Sequence, residues 1–260
     1  MKKAIVAVMA LGLGSSAAAP LAAQSKPIDP QAAKPIGRFG EELRASSDQA
    51  SFSEAEKLLW RGDQLSSIDR PLTLTYAFKR EGISGDGFTD TVELKILKIK
   101  PNGAKSAQLY FLTDERSKYV PPNEETKVNP VIAVYLQGDV LEMNRLTQGN
   151  WRYFQRWIKQ AIAQDAEVET VRFKFENKMV VGKRVTFFPY LKDPQNARYK
   201  KYAGKKYEIT ISTDLPGVLY QIHTIVPGTT APLVEETLTL VGAGRVSGVY
   251  TSGRQVVTER

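Results

Sequence analysis

Residues 72–79 read LTLTYAFK, and every second side chain in this stretch is large and apolar. The apolar set is Leu72, Leu74, Tyr76 and Phe78, and threonine or lysine occupies most of the positions between them. A repeat of two residues is typical of a β-strand that has one face on a core and the other in water. The stretch therefore predicts a strand in a sheet that is covered on one side.

The same alternation recurs on both sides of a helical region, with turn residues between successive runs. Turns such as Pro101-Asn102-Gly103 and Leu215-Pro216-Gly217 are too short for parallel crossovers. The runs therefore predict one long antiparallel sheet. Its further predicted strands cover 91–100, 107–113, 170–175, 179–190, 207–212, 218–226 and 233–241.

A helical region separates the two groups of strands. The segment 140–146 suits a short helix, Gly149-Asn150 breaks the pattern, and the segment 151–164 has an apolar stripe at three- and four-residue spacing. The preceding run 131–136 suits either a central strand or the start of an apolar helix. The predicted fold class is α+β: a large curved antiparallel β-sheet, half-barrel-like, packed on a helix pair near 138–164.

A half-barrel of long antiparallel strands closed by helices resembles, in architecture, the periplasmic lipoprotein carriers of the LolA/LolB type. The likeness rests on the predicted arrangement of strands and helices and on no sequence motif. The order of strands and helices itself predicts that the sheet wraps the helix at 151–164. Because one fold can serve many functions, the likeness implies no particular ligand.

The first residues have the features of an export signal. Lys2 and Lys3 precede an uncharged apolar stretch over 4–14, and small residues follow, ending in Leu21-Ala22-Ala23. This order is typical of a secretory signal peptide, here cleaved after Ala23. The apolar stretch is well short of the roughly 20 residues that span a bilayer. We therefore predict a periplasmic protein with no transmembrane span in the mature chain.

The chain contains no cysteine, so no disulfide can hold the fold together and no thiolate can act as a nucleophile.

Ser53 and Glu56 match the capping box of a short helix over 52–61. The predicted organisation is a signal peptide over 1–23, a flexible proline-containing segment over 24–50, a single β-rich α+β domain over 51–245 and a C-terminal tail over 246–260.

The sequence lacks the motifs of common enzymes and cofactor sites. Its one histidine, His223, lies in a predicted strand and is either a general base or a structural residue. The segment 82–86, GISGD, lacks the last glycine of a nucleophile elbow, and 242–244, GAG, lacks the third glycine of a dinucleotide loop. Glu235 and Glu236 would point to opposite faces of a strand. We therefore predict no catalytic residue, no cofactor and no metal.

The segment 190–206 is rich in basic residues and tyrosine, in a chain whose net charge is +8. Nucleic acid is the usual partner of such a pattern, but an exported protein rarely meets it. Lipid headgroups, anionic glycans or an acidic protein face fit better, and the alternative is a solvated loop. The candidate residues for an anionic ligand or partner are Lys192, Arg198, Lys200, Lys201, Lys205, Lys206, Tyr199 and Tyr202.

The apolar stripe of the second helix is the other candidate site. Trp151, Phe154, Trp157 and Ile158 either fill the hollow of the sheet as core or line an apolar pocket. The predicted function is a non-enzymatic periplasmic binding or accessory protein for an apolar or anionic ligand. Its candidate partners are an envelope lipid and another periplasmic or outer-membrane protein. The alternatives are an envelope assembly or structural protein that acts through protein contacts, and a carboxylate-based hydrolase.

Overall fold

The computed structural model describes residues 52–244. Helix α1 is α-helical over Glu54–Glu56 and π-helical over Lys57–Arg61; α2 spans Pro130–Thr147; and α3 spans Trp151–Gln160 and continues as a π-helical turn over Ala161–Asp165. The strands are β1 (Leu72–Glu81), β2 (Phe88–Ile99), β3 (Lys105–Phe111), β4 (Asn123–Thr126), β5 (Glu167–Phe175), β6 (Lys178–Phe187), β7 (Lys206–Ile211), β8 (Leu219–Val226) and β9 (Val234–Gly244). The predicted signal peptide, N-terminal segment and C-terminal tail lie outside the described residues.

The nine strands form one open antiparallel sheet in the order β4-β3-β2-β1-β9-β8-β7-β6-β5. Two meanders, β1–β4 and β5–β9, meet where β1 pairs with β9. Strands β4 and β5 lie at opposite edges, and α2 and α3 form the connection between them, with their buried residues in the same core as those of the sheet. The predicted fold, a curved antiparallel sheet packed on a helix pair, is confirmed.

The alternation in β1 places its apolar side chains in the core. Leu74, Tyr76 and Phe78 are buried, and the core face continues into β2, where Leu94 lies opposite Leu74. The predicted turn glycines close the meanders. Gly217 has a φ of 73°, and a Cβ there would lie 2.6 Å from the Leu74 Cδ1. Glycine is therefore required at this turn by both backbone conformation and space.

Helix α1 begins with the predicted capping box. The Ser53 Oγ accepts a hydrogen bond from the Glu56 backbone N–H at 3.1 Å, and the Ser53 N–H donates to the Glu56 carboxylate at 3.0 Å. The same hydroxyl donates to the Ile162 carbonyl at the end of α3. Leu59 is buried in the core, so the cap sets the direction in which this short helix docks.

Helix α2 is longer than the predicted short helix because it includes the apolar run 131–136, which forms its first turns and not a central strand. Asn129 caps it by accepting from the Val131 N–H at 3.0 Å, and Pro130 occupies the first turn, where its missing N–H costs nothing. The predicted break holds: Gln148 adopts a left-handed conformation, and Asn150 caps α3.

Asn129 also ties the helix to the sheet. Its side-chain amide donates to the Tyr76 hydroxyl at 3.1 Å and to the Gly217 carbonyl at 2.8 Å, and its own N–H donates to the Gln64 side chain at 2.8 Å. All of these groups are buried. The start of α2 is therefore fixed against β1 and the β7–β8 turn by a fully paired polar side chain.

Candidate functional site

An open cavity of about 390 Å³ lies between one face of α2 and the part of the sheet that contains the C-terminal end of β1. We call it the α2 cavity. Side chains from α2, β1, β2, β3, β8 and β9 line it, together with the loop after β3 and the segment that leads into β7. Because these elements are far apart in the chain, the cavity exists only in the folded sheet.

The wall of the α2 cavity is mainly apolar. Phe78 and Phe88 contribute rings whose centroids are 5.5 Å apart, and Val134 and Met143 contribute the facing side of α2. Gly138 lies between those two residues on the helix and also lines the cavity. A Cβ at Gly138 would meet nothing within 4 Å. The missing side chain of this glycine therefore helps to keep the space open.

A polar network crosses one side of the cavity. The guanidinium of Arg80, on β1, donates to Glu236 on β9 at 2.6 Å and to Glu142 on α2 at 2.9 Å. The Tyr135 hydroxyl lies 2.8 Å from the second oxygen of Glu236 and 2.9 Å from the Thr224 hydroxyl. The network therefore joins α2 to the centre of the sheet and places hydrogen-bonding groups in an apolar wall.

The network fixes the charge state of its members. Burial works against the charge of Arg80, but the nearby carboxylates of Glu236 and Glu142 outweigh it and raise the pKa of Arg80. Burial also opposes the charge of Glu142, yet the hydrogen bond and charge of Arg80 leave the pKa of Glu142 lowered. Burial beside Glu236 and Asp139 raises the pKa of Tyr135 well above its ordinary value. At neutral pH, Arg80 and Glu142 are charged and Tyr135 is not.

A second buried ion pair lies at the inner side of the cavity. Lys205, which precedes β7, pairs with Asp139 of α2, and the Tyr207 hydroxyl donates to the other oxygen of the same carboxylate. Burial and the Asp139 charge raise the pKa of Tyr207 well above its ordinary value. A buried pair of this kind contributes little net stability while intact, but removing one partner is costly.

The polar residues of the network break the sequence pattern, and sequence reasoning missed this signal. Arg80 lies two residues after Phe78 and therefore faces the same side of β1, which is the core side. Glu236 lies two residues before Leu238 and likewise faces the core side of β9. The two residues are register partners in the β1–β9 ladder. Charged residues in phase with an apolar face therefore marked the cavity.

The eight candidate residues of the basic segment do not form one surface. Lys192, Arg198, Lys200 and Lys201 are exposed, whereas Tyr199 is buried against Phe154. Lys205 is in the buried pair with Asp139, and Lys206 is a half-buried residue of β7 that pairs with Glu208 at 3.2 Å. Tyr202 lines the α2 cavity.

The four candidate residues of α3 lie away from the α2 cavity. Phe154 and Ile158 are buried, and Trp151 and Trp157 are half-buried and pack against the same core. None of the four lines the cavity. The α2 cavity is thus separate from the apolar stripe of α3, which packs into the core.

His223 lies on β8 between two carboxylates. Its Nδ1 is 2.9 Å from Glu208 and its Nε2 is 2.8 Å from Glu235. Burial opposes the charge of Glu208, but the hydrogen bonds from His223 and Lys206 lower its pKa. Glu235 and Glu236 do point to opposite faces, with only Glu236 in the cavity. Within 52–244, no cluster of three or more histidine or acidic residues is arranged to hold a metal ion.

The comparisons with known proteins show no family for this chain. No protein-family model matches the chain, and no curated protein matches it. It is similar to the crystal structure of a LolA superfamily protein from Nitrosomonas europaea, with 10% sequence identity and a TM-score of 0.22, over 77% of this chain and 96% of the other. At that TM-score the likeness supports no inference about ligand or activity. Among the residues described, no helix is long and apolar enough to cross a membrane.

Proposed function

We propose that this chain is a non-enzymatic periplasmic binding protein that holds an apolar ligand in the α2 cavity. The open, largely apolar space between α2 and the sheet is the observation that carries the proposal. Ligand sites in proteins are typically clefts of about 300 to 1,000 Å³ with apolar walls and a few fixed polar groups. The α2 cavity has this size and this composition.

The charges of the cavity wall favour an apolar ligand over a strongly anionic one. The wall contains four basic and four acidic residues, so their charges balance. Arg80 is already bonded to two carboxylates. A ligand with a neutral or zwitterionic polar end can bond to this network without leaving a charge unpaired. The charged residues are Arg80, Arg116, Lys118 and Lys205 against Glu115, Asp139, Glu142 and Glu236.

The converging carboxylates Glu142 and Glu236 do not favour a hydrolase. A general acid at neutral pH needs a raised pKa, whereas the pKa of Glu142 is lowered. Both carboxylates are also bonded to Arg80. Their arrangement supports a structural and ligand-positioning role.

Filling the cavity tests the proposal. Gly138→Leu adds a side chain into open space, so the protein should fold normally. The added side chain would overlap a bound ligand and should lower the affinity for the neutral apolar dye Nile red by at least about tenfold. Native mass spectrometry of the purified protein should show a small apolar molecule on the wild type and not on this variant. Unchanged dye affinity in a folded Gly138→Leu protein would contradict the proposal.

Gly242→Leu is the matched control. A Cβ at Gly242 also meets nothing within 4 Å, and this residue lies on β9 outside the cavity. The control should bind dye as the wild type does. Equal losses in both variants would assign the dye to the protein surface.

One observation supports the second candidate function, an assembly factor that acts through protein contacts. Met179 and Val181 lie two residues apart on β6 with 68% and 50% of their surface exposed. They form an apolar spot near the tip of the β5–β6 hairpin. Met179→Ser with Val181→Ser should leave dye binding intact and, if this function is correct, abolish recovery of a partner by cross-linking in cells.

A further inference from the structure

The exposed surface of residues 188–202, which we call the basic loop, combines cations with apolar side chains. Phe188 and Leu191 are 41% and 55% exposed. Four cations, Lys192, Arg198, Lys200 and Lys201, are exposed on the same segment. The loop therefore presents large apolar groups and positive charge together.

The basic loop is held firmly on α3. The Asp193 carboxylate accepts hydrogen bonds from the Tyr153 hydroxyl of α3 at 2.5 Å, from the Tyr199 hydroxyl and from the Gln195 N–H at 2.8 Å. The Tyr190 and Tyr199 rings pack edge-on against Phe154 of the same helix. Because its inner side chains are anchored, the loop presents its outer side chains from a fixed scaffold.

The positive charge of the loop is largely uncompensated. Its only acidic residue, Asp193, is buried, and Asp165 at the end of α3 pairs with Lys192 at 2.5 Å. Arg156 of α3 lies over the Tyr153 ring, next to the point where Tyr153 bonds to the loop, and adds to the positive surface. Arg198, Lys200 and Lys201 remain exposed and are in no ion pair that the structure shows within 52–244.

We propose that the basic loop docks the protein on an anionic lipid bilayer, with Phe188 and Leu191 in the interface and the cations against the headgroups. Cations beside exposed apolar side chains are typical of interfacial membrane binding, which combines apolar burial with attraction to anionic lipid. An acidic protein would pair with the same charges, and the polyglutamate comparison below tests it as the alternative occupant. This docking goes beyond ligand binding in the α2 cavity and does not depend on it.

The position of the loop gives the docking a consequence for the cavity. The helical turn Asn196–Tyr202 carries Arg198, Lys200 and Lys201 on its exposed side, and its last residue, Tyr202, lines the α2 cavity. The cavity therefore lies directly beside the surface that would contact the bilayer.

Vesicle sedimentation tests the proposal with the protein expressed from its full sequence. The vesicles contain equal parts phosphatidylglycerol and phosphatidylcholine, or phosphatidylcholine alone. Arg198→Gln, Lys200→Gln and Lys201→Gln together should weaken binding to the anionic vesicles roughly a hundredfold, at roughly fivefold per charge. Raising the salt from about 0.1 M to about 1 M should also release the wild type, because the screening length falls from about 10 Å to about 3 Å.

A control variant removes the same charge elsewhere. Arg172→Gln, Lys174→Gln and Lys178→Gln neutralise three exposed cations of the β5–β6 hairpin. This variant should retain most of the binding. All variants share one N-terminus, so any contribution of that segment cancels between them.

Three results would overturn the proposal: no binding of the wild type to anionic vesicles, equal losses in the loop variant and the control, or tighter binding to polyglutamate than to the vesicles. The last would assign the loop to an acidic protein partner. Phe188→Ser with Leu191→Ser should weaken vesicle binding roughly tenfold and leave polyglutamate binding unchanged. Circular dichroism confirms that each variant is folded.

Discussion

Helices α2 and α3 pack on the same sheet but use it differently. The α3 stripe is marked in the sequence by aromatic residues at regular spacing, and Phe154 packs against Tyr190 and Tyr199 with centroids 5.6 and 5.5 Å apart. Helix α2 carries a longer apolar run, yet Gly138 and Asp139 interrupt it and line a cavity. In α3, apolar residues at regular spacing mark a face that packs in the core. In α2, the interruption of the apolar run marks the residues that line the cavity.

The largest expected effect is on the α3 side of this comparison. Phe154→Ala removes a fully buried ring and should lower the free energy of unfolding by about 3 to 5 kcal/mol. Leu146→Ala, on the cavity side of α2, should cost about 1 kcal/mol or less because that side chain is 37% exposed. Urea denaturation measures both. Equal losses in the free energy of unfolding would contradict the view that α3 packs in the core while this side of α2 lines a cavity.

The next effect concerns the polar network. Arg80→Ala leaves Glu142 and Glu236 without their cation and should lower the free energy of unfolding by about 2 kcal/mol, less than for a fully buried pair because the arginine is partly exposed. The triple change Arg80→Leu, Glu142→Gln and Glu236→Leu, which removes the cation and both of its carboxylates, should recover much of this loss. A triple variant that is less stable than Arg80→Ala would show that the network is not a costly buried charge system.

The network should also make stability dependent on pH, to a smaller extent. The folded pKa of Glu142 lies below its ordinary value of 4.5. Its contribution is therefore complete above that value and is lost as the pH falls through the folded pKa. Acidification from about pH 6 to about pH 3 should destabilise the wild type more than Glu142→Gln. Parallel stability profiles of the two proteins, measured by denaturant titration, would contradict this.

The smallest expected effect is a gain in stability, whereas the largest, for Phe154→Ala, is a loss. Gly138→Ala should raise the free energy of unfolding by about 0.5 to 1 kcal/mol, because alanine is the better helix former and its Cβ meets nothing. Gly149→Ala is the opposite case, since a Cβ there would lie 2.8 Å from the Phe154 ring. That variant should be destabilised. Thermal melts distinguish the two signs.

The sequence was sufficient for much of the fold because alternation and capping are local. The LTLTYAFK strand, the Ser53 capping box and the break at Gly149 all follow from neighbouring residues. The start of α2 at Pro130 could not be predicted from the sequence, because a short apolar run such as 131–136 is equally typical of a buried strand and of a buried helix.

The candidate site was harder to predict, because the cavity is assembled from elements distant in the chain. The sequence placed Tyr199 and Lys205 among the candidates for an anionic ligand or partner, because their polarity and charge are visible in the sequence but their buried partners are not. Arg80 and Glu236, charged residues on an otherwise apolar strand face, were one local signal of the cavity, and the interruption of the α2 apolar run at Gly138 and Asp139 was another.

The pairing of β1 with β9 has a consequence for how the chain folds. Arg80 and Glu236 are 156 residues apart in sequence, so the centre of the sheet can close only after nearly the whole domain has been synthesised. Contacts of such high sequence separation carry a large loop-closure cost and slow folding. Until β9 arrives, β1 has an unpaired edge that could pair with another chain. The first meander therefore depends on the last strand for its protection as well as for its stability.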